Sequence, residues 1–229
     1  MDYIWSGIKE AGRLLLSFDK EVYKIIILSL FVSTTSTILS SIVSVPMGIY
    51  FGMKEFRGKR LFSRLVYTLM SVPSVIVGLI VAILLSRRGP FGFLNILYTP
   101  TAMIIAQTIL VTPLIFGLSY SLSKNRGKII ENAGKTLGAG KFDIIILIIR
   151  ELKVDILVNI VTAFSRAISE VGAVMIVGGN IKGHTRVITT TISMMNSMGD
   201  YPMAIALGIV LLIISFGVNS IIYSYQGED

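Results

Sequence analysis

Apolar residues fill long stretches of this chain, and polar residues gather in a few short intervals between them. About 20 apolar residues in a helix, rising about 1.5 Å each, cross roughly 30 Å of hydrocarbon. Stretches of that kind run over residues 25–51, 65–85, 102–122, 156–177 and 203–222. The pattern predicts an all-α integral membrane protein with about five transmembrane helices. Residues 3–18 differ. Ile4, Trp5, Ile8, Ala11, Leu15 and Phe18 recur along one side, with Lys9, Glu10 and Arg13 elsewhere. That spacing fits an amphipathic helix lying at a membrane interface, with Tyr3 and Trp5 at headgroup depth, or a loosely ordered tail. The chain thus divides into an interfacial segment (1–24), a transmembrane domain (25–222) and a short tail (223–229).

Polar positions inside the spans are ordered. Ser29, Ser33, Thr37, Ser40 and Ser44 recur every three or four residues, so they form one stripe on the first span. Small hydroxyl residues let helices approach closely and bond across an interface, which predicts that this stripe packs inside the bundle. Pro73 and Pro113 fall within the second and third spans, where neighbouring helices must satisfy the freed carbonyls. Residues 86–92, SRRGPFG, read as a turn. Residues 142–152, FDIIILIIREL, are apolar but short, and predict a helix rising from the membrane surface without crossing.

Composition agrees with the pattern and narrows it. The chain is 53% hydrophobic and 15% charged, with a mean hydropathy of +0.79, too apolar for a soluble domain of 229 residues. The absence of cysteine removes disulfides, thiolate metal sites and cysteine nucleophiles. A net charge of +8 reports, in a membrane protein, orientation against an anionic leaflet and not a nucleic-acid partner. The basic intervals 53–64 and 123–153 fall on one side of a five-span chain and carry twelve Lys and Arg, against eight on the other side. This bias predicts an outside N-terminus and a cytoplasmic C-terminus. Residues 1–21 lack the uninterrupted apolar core of a cleavable signal.

The interval 123–142, SKNRGKIIENAGKTLGAGKF, is too charged to lie in lipid. Within it Ile129, Ile130, Ala133 and Leu137 fall on one face of a short helix, which Gly138 and Gly140 are placed to end. A short helix with one apolar stripe on a basic loop predicts a partner. The run Asn132, Ala133, Gly134, Lys135, Thr136, Leu137, Gly138 and Ala139 resembles the EAA loop of ABC importer permeases, although Asn132 stands where the family has Glu and Glu151 roughly where it has Pro. The resemblance implies a cytoplasmic coupling helix, docked in a groove of a separate ATPase subunit.

A second informative stretch is Ala163–Ile192. Arg166 and Glu170, four apart on one helical face, can pair; a lone charge in hydrocarbon costs roughly 2.5–3.5 kcal/mol, so the pair should face the bundle interior or a wet cavity. Its role could be a gate, a subunit-interface lock or a structural ion pair. Ser165, Arg166, Ala167, Glu170, Gly172, Ala173, Gly179, Asn180, Thr185 and Arg186 resemble the pattern of the oxyanion branch of these permeases, and the form EVGAVMIVGGNIKGHTRVITTTI is most similar to its tungstate permeases. What the resemblance implies is a type I ABC importer permease for a tetrahedral oxyanion. It would act as a homodimer with two ABC ATPase subunits and an extracytoplasmic binding protein, in a cell membrane. Molybdate or sulfate is the alternative cargo.

Other chemistry is thin. His184 is the sole histidine and lies in an expected external loop without the further ligands a metal needs. Gly134-Lys135-Thr136 has only the tail of a phosphate-binding loop, so ATP and Mg belong on the partner ATPase, with no cofactor on this chain and no enzyme activity of its own. Met194, Met195 and Met198 read as packing. A stand-alone secondary transporter or channel is the rival class, but no inverted repeat is evident; a membrane anchor for a redox complex lacks paired histidines.

Overall fold

The computed structural model describes residues 2–16 and 19–226, and among these no strand occurs. Eleven α-helices follow one another in the described residues: α1 (Asp2–Leu16), α2 (Lys20–Met53), α3 (Lys59–Met70), α4 (Ser74–Leu85), α5 (Pro100–Leu122), α6 (Lys128–Thr136), α7 (Lys141–Glu151), α8 (Lys153–Ile168), α9 (Gly172–Gly178), α10 (Ile188–Met198) and α11 (Tyr201–Gln226). Phe18, expected on the stripe of α1, lies outside the described residues, as do the side chain of Leu15 and the end of the tail, 227–229. Residues 223–226 continue α11.

α2 and α11 are long and apolar enough to cross a membrane, as is α5 together with its extension to Thr136. The other two expected spans are not continuous. α3 and α4 meet at 85°, and α8 and α9 at 56°, so the count reaches five with each bent pair as one broken span. The first break has a local cause. Pro73 disfavours helical backbone at the residue before it, and Pro73 itself is extended (ψ 130°) where it starts α4. In the second, the Glu170 carboxylate turns back to accept the Ala173 N–H at 3.1 Å, a bond that an unbroken helix would not leave open.

α5 is the centre of the bundle, packed by α2, α3, α4, α8 and α9. The polar stripe of α2 is what makes the α2–α5 approach close. Ser40 Oγ lies 3.0 Å from both the Thr108 carbonyl and the Thr112 hydroxyl, and Ser44 donates to the Thr112 carbonyl at 3.3 Å. One and two turns on, Gly48 and Gly52 extend the stripe. A Cβ on Gly48 would lie 2.7 Å from the Phe116 carbonyl, and one on Gly52 2.7 Å from that of Tyr120. Ser29, Ser33, Thr37, Ser40 and Ser44 are all buried, as the sequence predicts for a packing stripe.

Two stretches expected as loops are helical. Ser123–Gly127 forms a π-helical turn that carries α5 straight into α6. It is anchored where the buried Ser123 hydroxyl donates to the Ile49 carbonyl at 3.0 Å. The stretch after residue 187, left between the fourth and fifth expected spans, contains α10, whose Thr189, Thr190 and Thr191 are buried. α1 is amphipathic as expected, but its expected apolar stripe is split between a buried and an exposed side. Gly7, Ala11 and Leu14 are buried, with Gly7 against Ile205 of α11, while Tyr3, Ile4, Trp5 and Ile8 remain exposed. α7 is a short helix ending at Glu151, in line with its reading as a segment that does not cross.

Candidate functional site

Two places in this fold bear on function. The first is the end of α6. Leu137 caps the helix, Gly138 takes a left-handed conformation (φ +79°), and the N–H groups of Gly138 and Ala139 donate to the Lys135 and Gly134 carbonyls, each at 3.0 Å. This is the paired Schellman closure that a glycine at the position after the cap permits. The Asp143 carboxylate then accepts the Gly140 N–H at 3.0 Å and starts α7. The two helices fold on each other at Gly134, where a Cβ would stand 3.3 Å from Ile144.

The expected apolar stripe of α6 is thereby split. Ile130 turns inward to the cluster containing Ile144 and Ile148, because residues 129 and 130 point about 100° apart on a helix of 3.6 residues per turn. Ile129, Asn132, Ala133, Lys135, Thr136, Leu137 and Gly138 face solvent, with Ala139 partly covered. Ile129 is 76% exposed, Leu137 87% and Phe142, just beyond, 73%. These side chains leave an apolar face open to solvent on a basic segment. Several of the charges around it are paired: Lys135 with Glu131 at 2.6 Å and Arg126 with Asp155 at 2.9 Å.

The second place is the break between α8 and α9. Arg166 reaches Glu170 at 3.0 Å, as the spacing predicts. Yet Glu170 lies past the end of α8, so the two do not share a helical face as expected. The pair also does not face the interior as a unit: the Glu170 side chain is 2% exposed and that of Arg166 45%, because the bend turns only the carboxylate into the bundle. The freed backbone groups at the break find side-chain partners on other helices. Gln107 of α5 donates to the Ala167 carbonyl at 2.9 Å and accepts from the Ser36 hydroxyl of α2 at 3.1 Å. Thr189 of α10 donates to the Glu170 carbonyl at 2.7 Å. Gly172 sits against Ser74 and Val75, and a Cβ on Gly78 would lie 2.6 Å from Ala173 Cα. The two broken spans therefore meet at their breaks, with Glu170 buried at the junction, Gly172 against α4 and Arg166 at its open edge.

Reading the sequence alone misses Gln107 and Thr189 as parts of this network. The signal for Gln107 is an amide in the middle of an apolar span; for Thr189 there is none, since its helix is not expected. The string from Gly179 to Arg186 also has a structural account. Gly179 and Asn180 are left-handed (φ +69° and +50°), Thr185 donates to the Gly178 carbonyl, and Arg186 donates to the Asn180 carbonyl at 3.4 Å. Lys182 pairs with Glu21 at 2.8 Å. The string is a clasp fastening the end of α9 to the starts of α10 and α2. His184 is exposed in this clasp, and among the described residues no group of three His, Asp or Glu could hold a metal.

Residues 44–226, from the middle of α2 to the end of α11, match the family of binding-protein-dependent transport system inner membrane components. The chain belongs to this family of ABC transporter permeases. It is 69% identical over 228 residues, the whole of both chains, to the tungstate uptake system permease protein of Peptoclostridium acidaminophilum. Against the tungstate uptake system permease protein of Campylobacter jejuni it is 37% identical, covering 99% of this chain and 95% of that one. A molybdenum transport system permease protein of Escherichia coli is more distant, at 28% over 72% of this chain and 76% of that one. As a permease, the protein is a multi-pass membrane component of a transport system and not an enzyme.

Proposed function

We propose that the chain is the permease of an ATP-driven tungstate importer, acting as a homodimer with two ABC ATPase subunits and an extracytoplasmic tungstate-binding protein. The full-length identity to a tungstate uptake permease carries the choice of cargo. In this reading Ile129, Ala133, Leu137 and Phe142 enter a groove of the ATPase, which binds ATP and Mg. The N-terminus lies outside and the C-terminus in the cytoplasm, the orientation that puts the basic intervals inside.

The helix continuity gives the coupling a mechanical form. α6 prolongs α5 through the π turn, and α5 touches most of the bundle, so a displacement of α6 by closing ATPases tilts the central helix. The junction of the two broken spans, already without continuous backbone hydrogen bonding, is where two discrete packings of the bundle differ, outward-open and inward-open. Arg166 and Glu170 lie at that junction as gate-forming groups. The test is ATPase activity of the reconstituted complex, with its binding protein and tungstate, molybdate or sulfate in turn. Tungstate should stimulate hydrolysis at the lowest concentration; equal stimulation by all three, or hydrolysis indifferent to any, contradicts the reading.

A further inference from the structure

The turn between α2 and α3 holds a positive recess that the coupling role does not use. Lys59, Arg60 and Ser63 of α3, Glu55, Phe56 and Gly58 before it, and Lys124 line an open hollow. Its one carboxylate is already engaged. Glu55 takes Lys59 at 3.2 Å and Lys128 at 3.5 Å; the hydrogen bond from Lys59, then the charge of Lys59 and that of Lys128, hold it below the usual carboxylate range. Lys59 is further tied to the Gly52 carbonyl at 2.9 Å, which closes the end of α2. Arg60 and Lys124 have no acidic partner within 4.0 Å among the described residues, and both are exposed. At the same end, Gly58 begins α3 in a left-handed conformation with no side chain capping the helix, and no acidic residue stands in its first turn.

What leads away from the recess is apolar. Leu61, Leu65 and Leu69 stand at successive turns of α3 and are each more than half exposed, while the opposite side of the helix is packed, with Ser63 2.6 Å from the Tyr120 hydroxyl and Val66 buried. A cationic hollow at the foot of an exposed leucine ridge, at the edge of a membrane span, matches a molecule with an anionic head and a hydrocarbon tail.

We infer that this recess binds the phosphate headgroup of an anionic phospholipid of the cytoplasmic leaflet, with Arg60 and Lys124 as the recognising cations and Leu61, Leu65 and Leu69 against an acyl chain. Guanidinium and ammonium groups favour a phosphodiester that no zwitterionic headgroup offsets with its own cation. The inference rests on the proposed orientation only in assigning the leaflet; the recess itself does not depend on an ATPase.

The experiment is lipid retention by the purified full-length permease in mixed phosphatidylglycerol and phosphatidylcholine nanodiscs, read by native mass spectrometry after release. The wild type should retain phosphatidylglycerol above its bulk share. In R60Q/K124Q that enrichment should fall steeply, since a cation near the membrane surface is worth roughly fivefold in binding. R87Q/R88Q, with charges removed from the turn after α4, should keep it. Thermal unfolding of each variant reports whether it is folded. Equal retention of the two lipids by the wild type overturns the inference, as does enrichment unchanged in R60Q/K124Q. Displacement of phosphatidylglycerol by millimolar inorganic phosphate also overturns it, because the ligand would then be a soluble phosphate. Failure of ATPase association in other variants leaves these outcomes untouched, so the two readings fail separately.

Discussion

Gln107 donates its side-chain amide to the main-chain carbonyl of Ala167, 2.9 Å away, at the point where α8 stops. Its oxygen accepts from Ser36, so one residue of the central helix joins α2, α5 and the broken span. Gln107→Leu keeps the volume and removes both bonds, leaving Ser36 only its bond to the Ser33 carbonyl and the Ala167 carbonyl only main-chain donors such as the Glu170 N–H. A loss of about 1–3 kcal/mol in unfolding free energy is expected, with transport reduced beyond what the stability change explains. Denaturation in mixed micelles, alongside uptake per folded complex, checks both.

Glu170 and Arg166 should behave asymmetrically. Arg166→Ala strands a carboxylate that is 2% exposed and leaves it the Ala173 N–H. Glu170→Gln keeps an acceptor for that N–H and removes the charge. The arginine variant should therefore be the less stable, by about 1–2 kcal/mol after allowing for the 45% exposure of Arg166, and R166A/E170Q should recover most of that loss. A double-mutant cycle measures it; additive effects would show that the pair is not coupled.

Gly138 stands in open space, with nothing within 4 Å of where a Cβ would sit, so only its φ of +79° opposes substitution. Gly138→Val should weaken the Schellman closure, at a cost of about 1–2 kcal/mol, and loosen ATPase association with it. Gly138→Asn, which tolerates that conformation better, should retain most of the association in a pull-down.

Gly48 tests packing instead of conformation. A Cβ there meets the Phe116 carbonyl at 2.7 Å and Ser119 Cβ at 2.8 Å, and backbone cannot swing aside as a side chain can. Gly48→Ala should cost about 1–3 kcal/mol, and Gly48→Leu should abolish accumulation in the membrane, read by immunoblot of membrane fractions.

The spans are legible in the sequence because lipid demands long apolar runs, and the α2 stripe because five hydroxyl positions share one helical face. That two spans are broken is not legible. An apolar run looks the same whether straight or bent by 85°, and Pro73 alone is compatible with either. The helix after α5 is readable in its polarity and its terminating Gly138. Its π turn is not, since Lys124, Asn125 and Arg126 look like loop residues and are held in a helix by what surrounds them, above all the Ser123 bond to Ile49. Arg166 and Glu170 can be paired from spacing, whereas the partners from Gln107 and Thr189 depend on which helices are neighbours, a property of the tertiary fold.

If α6 is the handle a cytoplasmic ATPase grips, Leu137 lies inside the cell and against that subunit. With no cysteine in the native chain, Leu137→Cys supplies a unique thiol on a side chain that is 87% exposed. In intact cells it should be inert to a membrane-impermeant maleimide and should form a cross-link to the ATPase subunit with a short bifunctional reagent, weakened when ATPase binding is disrupted. Labelling from outside the cell, or a thiol that never cross-links to the ATPase in an actively transporting complex, would contradict the account.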